Sequence, residues 1–449
     1  MSDPDQYFVD YVDGDNADDG LSDSNAWATV YYALTQITHD SGNGVQINIK
    51  ESGSGAITTN ETVPIDIPMT YSGGGEWGSI GPGAPLIFRG YQEAPDDWYP
   101  GKAGHMARLR GYNSTMMFGE DEFPIFADNW AMGMSTGVEQ SYVIVADLRL
   151  DMVQSSSTQP HILSKSNWLF INCIFTGGAA NNCVQLDSGS TFINCYFHDM
   201  GNQGSSSRGA VSASGADNTF INCTFQFLSD SDNQPYFCVR TNGEGKQHFF
   251  NNAFLCGDNV RAVANNGPSA TGGGAGTMFF MNNTMLSIPD ATGRINPISG
   301  TNQAKKVVWL NNLSEGWNRG FSPAGDWSVI WGANSAYNNT TDFYETGRDV
   351  WYELSDSDSN SGNKSLATSP FQNAINGNDA DIYPNPALES GTTQEGVVGV
   401  SLPPTHRLRT TDDVADGTGA AGTLGRLFGT RGAIGMGPIS RPIDGGPIR

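Results

Sequence analysis

The tetrapeptide FINC occurs at Phe170–Cys173, Phe192–Cys195 and Phe220–Cys223, each time followed by x-F. Aligned on its Asn, the phrase loosens but continues. FFNNAF carries Asn251, FMNNTM Asn282, WLNNLS Asn311 and AYNNTT Asn338, and VADLRL puts Asp147 in the same column upstream. Successive spacings are 25, 22, 28, 29, 31, 29 and 27 residues. A fixed phrase at that period marks a chain wound into stacked coils. The units are short runs of β-prone letters separated by Gly-, Ser- and Asn-rich loops such as GNQGSSSRG and GPSATGGGAG. No segment of helical period separates them, which excludes ankyrin-like, tetratricopeptide-like and leucine-rich coils.

A period of two gives the columns, because residues i, i+2 and i+4 of a strand share one face. Ile171, Ile193, Ile221, Phe250, Met281 and Leu310 make one apolar column. Two residues on stand Cys173, Cys195, Cys223, Asn252, Asn283 and Asn312, and two further on Phe175, Phe197, Phe225, Phe254 and Met285. The first and third columns are apolar, so this face is expected to point inward. The middle column is then a core ladder that passes from thiols to amides. Asn side chains stacked in register about 4.8 Å apart can hydrogen-bond from coil to coil, which a lone buried Asn cannot. Strict alternation sends the preceding column outward: Phe170, Phe192, Phe220, Phe249, Phe280 and Trp309. That would be an aromatic stripe suited to sugar rings or to another subunit, unless the chain bends there or loops lie over it.

These columns and the INC-x-F phrase resemble the right-handed parallel β-helix proteins of the pectate-lyase-like superfamily. The stretch YVDGDNADDGLSDSNAWATVYYAL resembles the capping segment that opens many of them. The likeness covers roughly residues 7–40 and 140–340. The fold class it implies is all-β: a right-handed parallel β-helix solenoid with a short N-terminal capping helix and an irregular C-terminal arm. The expected organisation is a cap over 1–40 (a strand plus an amphipathic helix), the β-helix over 41–345, and a closing segment with an extended arm over 346–449. A first coil needs a plug for its apolar cross-section and unpaired edge. From Ser24, a capping candidate, Trp27, Val30, Tyr31, Leu34 and Ile37 fall at helical spacing. Val45–Lys50 and Pro85–Tyr91 read as the first coils. Towards the end, LATSPFQNAINGNDADIYPNPALESG resembles the closing segment of bacterial β-helix proteins. Arg407, Arg409, Arg426, Arg431 and Arg441 stand ready to lie against an acidic neighbour.

Charge bounds the partners. The net charge is −24, and residues 1–49 hold nine Asp and no Lys or Arg. Such a body repels phosphates, so nucleic acid is not an expected partner. There is no apolar run of the length a membrane span needs. The six cysteines show no CxxC zinc spacing and are too sparse for a disulfide framework; three of them, Cys173, Cys195 and Cys223, lie in the repeated motif and are expected to act as small buried hydrophobes. In DGDNADDG, Asp13, Asp15, Asp18 and Asp19 are candidate Ca²⁺ ligands, although the EF-hand spacing and its Glu are missing and a tight Asp/Gly turn explains the same letters.

The resemblance implies, for lyases, Ca²⁺-binding acids with an Arg or Lys base on one outer strand face, and for hydrolases clustered Asp. Here outward charges on the motif-bearing strands are few: Asp147 with Arg149, then His198 with Asp199. Asp187, Arg208 and Arg240 lie nearby in no repeated pattern, and no residue is assigned a catalytic role. The N-terminus MSDPDQYFVD has neither the basic nor the apolar region of a secretory signal. The function expected from these features is a structural virion protein of a bacteriophage, such as a capsid decoration, fibre or tail-associated β-helix. Its partners would be other copies of itself, other virion proteins, or cell-surface polysaccharide. The alternative is a secreted polysaccharide lyase or glycoside hydrolase, extracellular, on the same fold. A third expectation is an adhesin that binds glycans through the aromatic stripe without cleaving them.

Overall fold

The computed structural model describes residues 3–37, 43–51, 65–66, 82–95, 106–110, 126–127, 142–152, 162–163, 166–177, 184–198, 200, 209–213, 215–227, 235–241, 245–257, 260–265, 276–287, 297–300, 306–310, 312–321, 328–332, 334–343 and 364–365. They fall into two compact units, one up to Gln185 and one from Leu186.

In the first unit Asp5–Val9, Val45–Lys50, Leu86–Tyr91, Val143–Ala146 and Leu169–Ile171 pair in parallel, each with the next, in one sheet. Arg108–Arg110, Arg149–Met152 and Ile174–Gly177 form part of a second sheet. Ile65–Asp66, Phe126–Ala127, Ile162–Leu163 and the start of Val184–Leu186 belong to a third. The second unit repeats the plan. Its coil Asn218–Ile221, Thr224–Phe227, Phe237–Thr241 visits the three sheets in order. The next coil, Lys246–Phe250, Ala253–Cys256, Arg261–Asn265, lies on it in register at each sheet. The chain is a right-handed parallel β-helix.

What turns one strand into the next is a single left-handed residue. Asp147, Asn172, Asn194, Asn222, Asn251, Asn282 and Asn338 have φ of 57°, 53°, 55°, 54°, 61°, 59° and 51°. Asn and Asp enter this region at the least strain of any residue with a side chain, which explains one amide or carboxylate per coil at the same place. The corner also resets the alternation. In FINC-x-F the Phe points in, the Ile points out, the Asn turns the chain, and then the Cys and the second Phe point in.

The aromatic column therefore lies in the core, which corrects the outward stripe. Phe170, Phe192, Phe220, Phe249, Phe280 and Trp309 are all 0% exposed. In the second unit their rings stack from coil to coil: Phe192 on Phe220 at 5.1 Å, Phe220 on Phe249 at 5.2 Å and Phe249 on Phe280 at 4.7 Å between centroids. A parallel pile, Phe197–Phe225–Phe254, runs beside them at 4.5 and 4.9 Å. Conversely Ile171, Ile193, Ile221, Phe250, Met281 and Leu310, expected inside, are half-buried on the outer side.

Cys173, Cys195, Cys223, Asn252, Asn283 and Asn312 are buried between these aromatic columns. The Asn252 side-chain amide donates to the Phe220 carbonyl and to Asn283 Oδ1, both at 3.0 Å. Asn283 does the same to Phe249 and Asn312, at 2.8 and 3.0 Å, and Asn312 to Phe280 and Asn334, at 2.9 and 3.0 Å. Each carboxamide oxygen also accepts a main-chain N–H from the coil below, so every polar atom of the rung is used. The cysteines fill the same slot with a weaker donor, as Cys223 Sγ shows by lying 3.6 Å from the Phe192 carbonyl.

The N-terminal cap is built around Trp27. Its main chain bridges Val9, its ring stacks on Tyr7 at 5.6 Å, and its Nε1–H donates to the Asp18 carbonyl at 2.9 Å. Gly20, at φ 67°, passes so close that a Cβ there would stand 2.4 Å from the indole. The helix is shorter than its spacing predicts. It spans Val30–Gln36 with Thr29 as N-cap, while Ser24 sits in the 3-10 turn Asp23–Asn25. Pairing of Trp27 with the first strand holds that stretch extended and postpones the helix. Val30, Ala33, Leu34 and Ile37 are its buried residues. The closing segment and the arm with Arg407, Arg409, Arg426, Arg431 and Arg441 lie outside the described residues, save for Lys364–Ser365, which pair with Ser335 and Ala336.

Candidate functional site

Outer surfaces of the sheets are where a β-helix can meet a ligand. In the second unit the outer face of the second sheet is largely covered, with Gln226 and Glu315 half-buried on it. Its outer residues Tyr196, His198, Thr224, Leu255 and Leu286 are between 1% and 6% exposed. His198 stacks on Tyr196 at 4.6 Å in this covered layer, and Asp199 lies outside the described residues.

The outer face of the first sheet is different. Two columns run along it in register. One is Thr191, Thr219, His248, Phe279 and Val308; the other is Ile193, Ile221, Phe250, Met281 and Leu310. All except Val308, which is 8% exposed, are half-buried. The inward alternates Phe249 and Phe280 anchor the strands beneath, which fixes this surface rigidly. The His248 imidazole stacks on the Phe279 ring at 4.9 Å with 3° between planes, and meets Phe250 at 5.5 Å and 47°. Burial lowers the His248 pKa below its ordinary value; Lys246 lowers it further, and Asp217 pulls the other way. Beside this platform, exposed Asp217 accepts the Lys246 main-chain N–H at 3.3 Å. The result is a flat aromatic and aliphatic surface with hydroxyls and one pair of opposite charges along its edge. Such a surface holds a ligand with an apolar ring face and polar rim. The period-two reading puts the column Ile193, Ile221, Phe250, Met281 and Leu310 inside and makes no assignment for Thr191, Thr219, His248, Phe279 and Val308. The signal that could have found them is the Asn itself, since a left-handed corner resets the alternation.

In the first unit Asp147 and Arg149, expected as outward charges, are both buried among other arginines, because Asp147 is the left-handed corner itself. Arg89 Nε donates to Asp147 Oδ2 at 3.1 Å, and Asn172 Nδ2 donates to Oδ1 at 2.9 Å. Arg108 pairs in register with Arg149, and Arg110 with Asp151. Asp147 is 2% exposed and the Arg89 side chain 14%, so this is a buried ion pair locking three consecutive coils at their corner.

The aspartates of the cap do not converge. Asp15 Oδ1 accepts from Ala17 N at 2.9 Å and Asp19 Oδ1 from Leu21 N at 3.0 Å; Asp13 N and Val12 N donate to Asp10 Oδ1. Asp18 N donates to the Asp15 carbonyl at 3.0 Å. These are turn-forming bonds. Among the described residues no three His, Cys, Asp or Glu side chains are grouped to hold a metal, and no helix is long and apolar enough to cross a membrane.

No family model matches the chain, and no curated protein sequence matches it. Solved structures do. Pectate lyase Pel9A is 14% identical over 78% of this chain and 73% of its own, with a TM-score of 0.39. XylC in complex with xylose is 8% identical over 81% and 86%, at 0.40. The GH136 lacto-N-biosidase from Eubacterium ramulus is 11% identical over 77% and 67%, at 0.36. At such values the fold assignment rests on this chain's own sheets and registers.

Proposed function

We propose that this chain is a carbohydrate-active β-helix protein. In this proposal it binds a polysaccharide along the outer face of the first sheet in its second unit, and it cleaves that polysaccharide as a lyase or glycoside hydrolase. The observation that carries the proposal is the His248–Phe279–Phe250 platform, rigid, half-exposed and edged by Thr219, Thr277 and Lys246. A pyranose has a face of C–H groups and a rim of hydroxyls. The face lies well on aromatic rings, and the rim needs polar partners at their edge. Coils about 4.8 Å apart repeat that opportunity along the axis, as a polymer repeats its sugars. An extracellular location goes with this proposal.

The test is affinity electrophoresis against neutral and acidic polysaccharides, with assays for unsaturated and reducing-end products. Retardation by one polysaccharide is expected, lost in Phe250→Ala/Phe279→Ala with folding intact. A chain retarded by none, or a double variant retarded as before, overturns the proposal.

A structural role in a bacteriophage particle uses the same face. The apolar column Ile193, Ile221, Phe250, Met281, Leu310 would then be buried between copies of the chain. Sedimentation separates the two: a concentration-independent monomer excludes assembly through that column.

A further inference from the structure

The described cysteines divide into two kinds. Cys173, Cys195 and Cys223 turn their thiols to main-chain carbonyls, Cys173 to Val145 and Ile171 at 3.3 Å each, Cys195 to Ile193 at 3.5 Å and Cys223 to Ile221 at 3.4 Å. Cys238 and Cys256 turn theirs to each other. Their Sγ atoms are 3.7 Å apart, and both residues are 0% exposed. They sit on consecutive coils: Cys238 in Phe237–Thr241 of one, Cys256 at the end of Ala253–Cys256 of the next. A disulfide bond is about 2.05 Å long, so closing it asks the sulfurs to approach by less than the length of one bond between them. Rotation about the two Cα–Cβ bonds moves sulfur atoms that far.

We propose that Cys238 and Cys256 form a disulfide when the chain folds in an oxidising compartment, stapling two consecutive coils of the second unit. The oxidant is a small-molecule disulfide such as oxidised glutathione. One cysteine loses its proton and attacks a glutathione sulfur, making a mixed disulfide and releasing one glutathione thiolate. The second cysteine then loses its proton and attacks the protein sulfur of that mixed disulfide, releasing the other thiolate. Two protein thiols give up two electrons and two protons, and the oxidant leaves as two thiols. Burial pushes the Cys238 thiol well above its ordinary pKa, and the neighbouring Cys256 raises it further. Thiolate is therefore scarce once the coils have closed. The exchange belongs to folding, and the finished bond is shielded from reductants. The staple is independent of the polysaccharide proposal.

The full chain is produced in an oxidising compartment and, separately, in a reducing one. Both samples are denatured, alkylated, weighed and peptide-mapped. In the oxidised sample two thiols are expected to escape alkylation, with one cross-link joining the peptides that carry Cys238 and Cys256. Its unfolding midpoint is expected to fall when reductant is present during denaturation. Cys238→Ser and Cys256→Ser are each expected to abolish the link. Alkylation of all six cysteines in folded oxidised chain, or a link that maps to Cys173, Cys183, Cys195 or Cys223, overturns the proposal. Mapping of the unaltered chain decides even if a serine variant fails to fold.

Discussion

Asn252 donates its side-chain amide to Asn283 Oδ1 at 3.0 Å, and that same oxygen accepts the Asn252 main-chain N–H at 2.9 Å. One carboxamide thus serves two donors of the coil below while its own amide serves the Phe249 carbonyl at 2.8 Å. Asn283→Ala strips the acceptor from two buried N–H groups of Asn252, main-chain and side-chain, and a donor from the Phe249 carbonyl and from Asn312 Oδ1. At about 1–3 kcal/mol for each orphaned group, the expected loss is about 3–5 kcal/mol in denaturant unfolding. Asn283→Cys restores a weak donor but not a good acceptor, and is expected to fall between Ala and the native chain. A loss for Asn283→Ala within experimental error would show that water enters and satisfies the ladder.

The left-handed corner makes a different demand. Asn222 has φ 54° and its Oδ1 accepts from the Asn251 amide. Asn222→Gly gives up that bond but suits the backbone. Asn222→Val gives it up and adds the clash of a branched Cβ with the following carbonyl. Valine is expected to be less stable than glycine by about 1–2 kcal/mol. Equal stability of the two variants would mean that the corner relaxes out of the left-handed region.

The same Asn explains what was legible in the sequence. Stacking was readable because each coil must place its turn residue and its inward side chains where the coil below has them, so FINC recurs. The phase across the turn was not. A strand alternates with period two only while its backbone stays extended, and the residue at φ 53°–55° resets the count between Phe170 and Cys173, Phe192 and Cys195, Phe220 and Cys223. Hence Cys173 and Phe175 were placed inside correctly from their own spacing, while Phe170 and Ile171 were exchanged. The outer platform was missed for that reason: its members Phe250 and Met281 were counted as core. The Arg89–Asp147 pair was hidden because its partners are 58 residues apart and meet only through coil stacking.

The assignment of inner and outer faces is testable by mutation. Phe220 lies between Phe192 and Phe249 and is 0% exposed, so Phe220→Ala is expected to lose about 3–5 kcal/mol and to broaden the near-ultraviolet signal. Phe279 is half-buried on the outer face, against His248, so Phe279→Ala is expected to lose only about 1 kcal/mol. Denaturant unfolding of both variants measures the difference, and similar losses would contradict the assignment of inner and outer faces.

The cap carries a pH dependence of its own. Lys50 Nζ donates to Asp23 Oδ2 at 2.8 Å and lies 3.5 Å from Asp10 Oδ2, and the Tyr91 hydroxyl donates to Asp23 Oδ1. Burial alone would raise the Asp23 carboxyl, but the hydrogen bonds from Lys50 and Tyr91 together with the Lys50 charge outweigh it and hold the group below its ordinary value. Burial alone would lower the Lys50 ammonium, and the bonds and charges of Asp23 and Asp10 outweigh it and raise the group. A depressed carboxyl contributes stability above its unfolded pKa, about 3.9, that is lost as pH falls through the lower folded value. A raised ammonium contributes below its unfolded pKa, about 10.4, and the contribution is lost as pH rises through the higher folded value. Between those limits the cluster's contribution is level. The Asp23 side chain is 42% exposed, so solvent screening keeps the effect modest. Asp23→Asn is therefore expected to lower the thermal midpoint at neutral pH by a small, constant amount, with the gap to the native chain closing below about pH 4. Midpoints of both chains measured across that range test the sign: a gap that widens in acid would mean Asp23 is held neutral, and the bridge to Lys50 would not be the contact that ties the capping turn to the second strand.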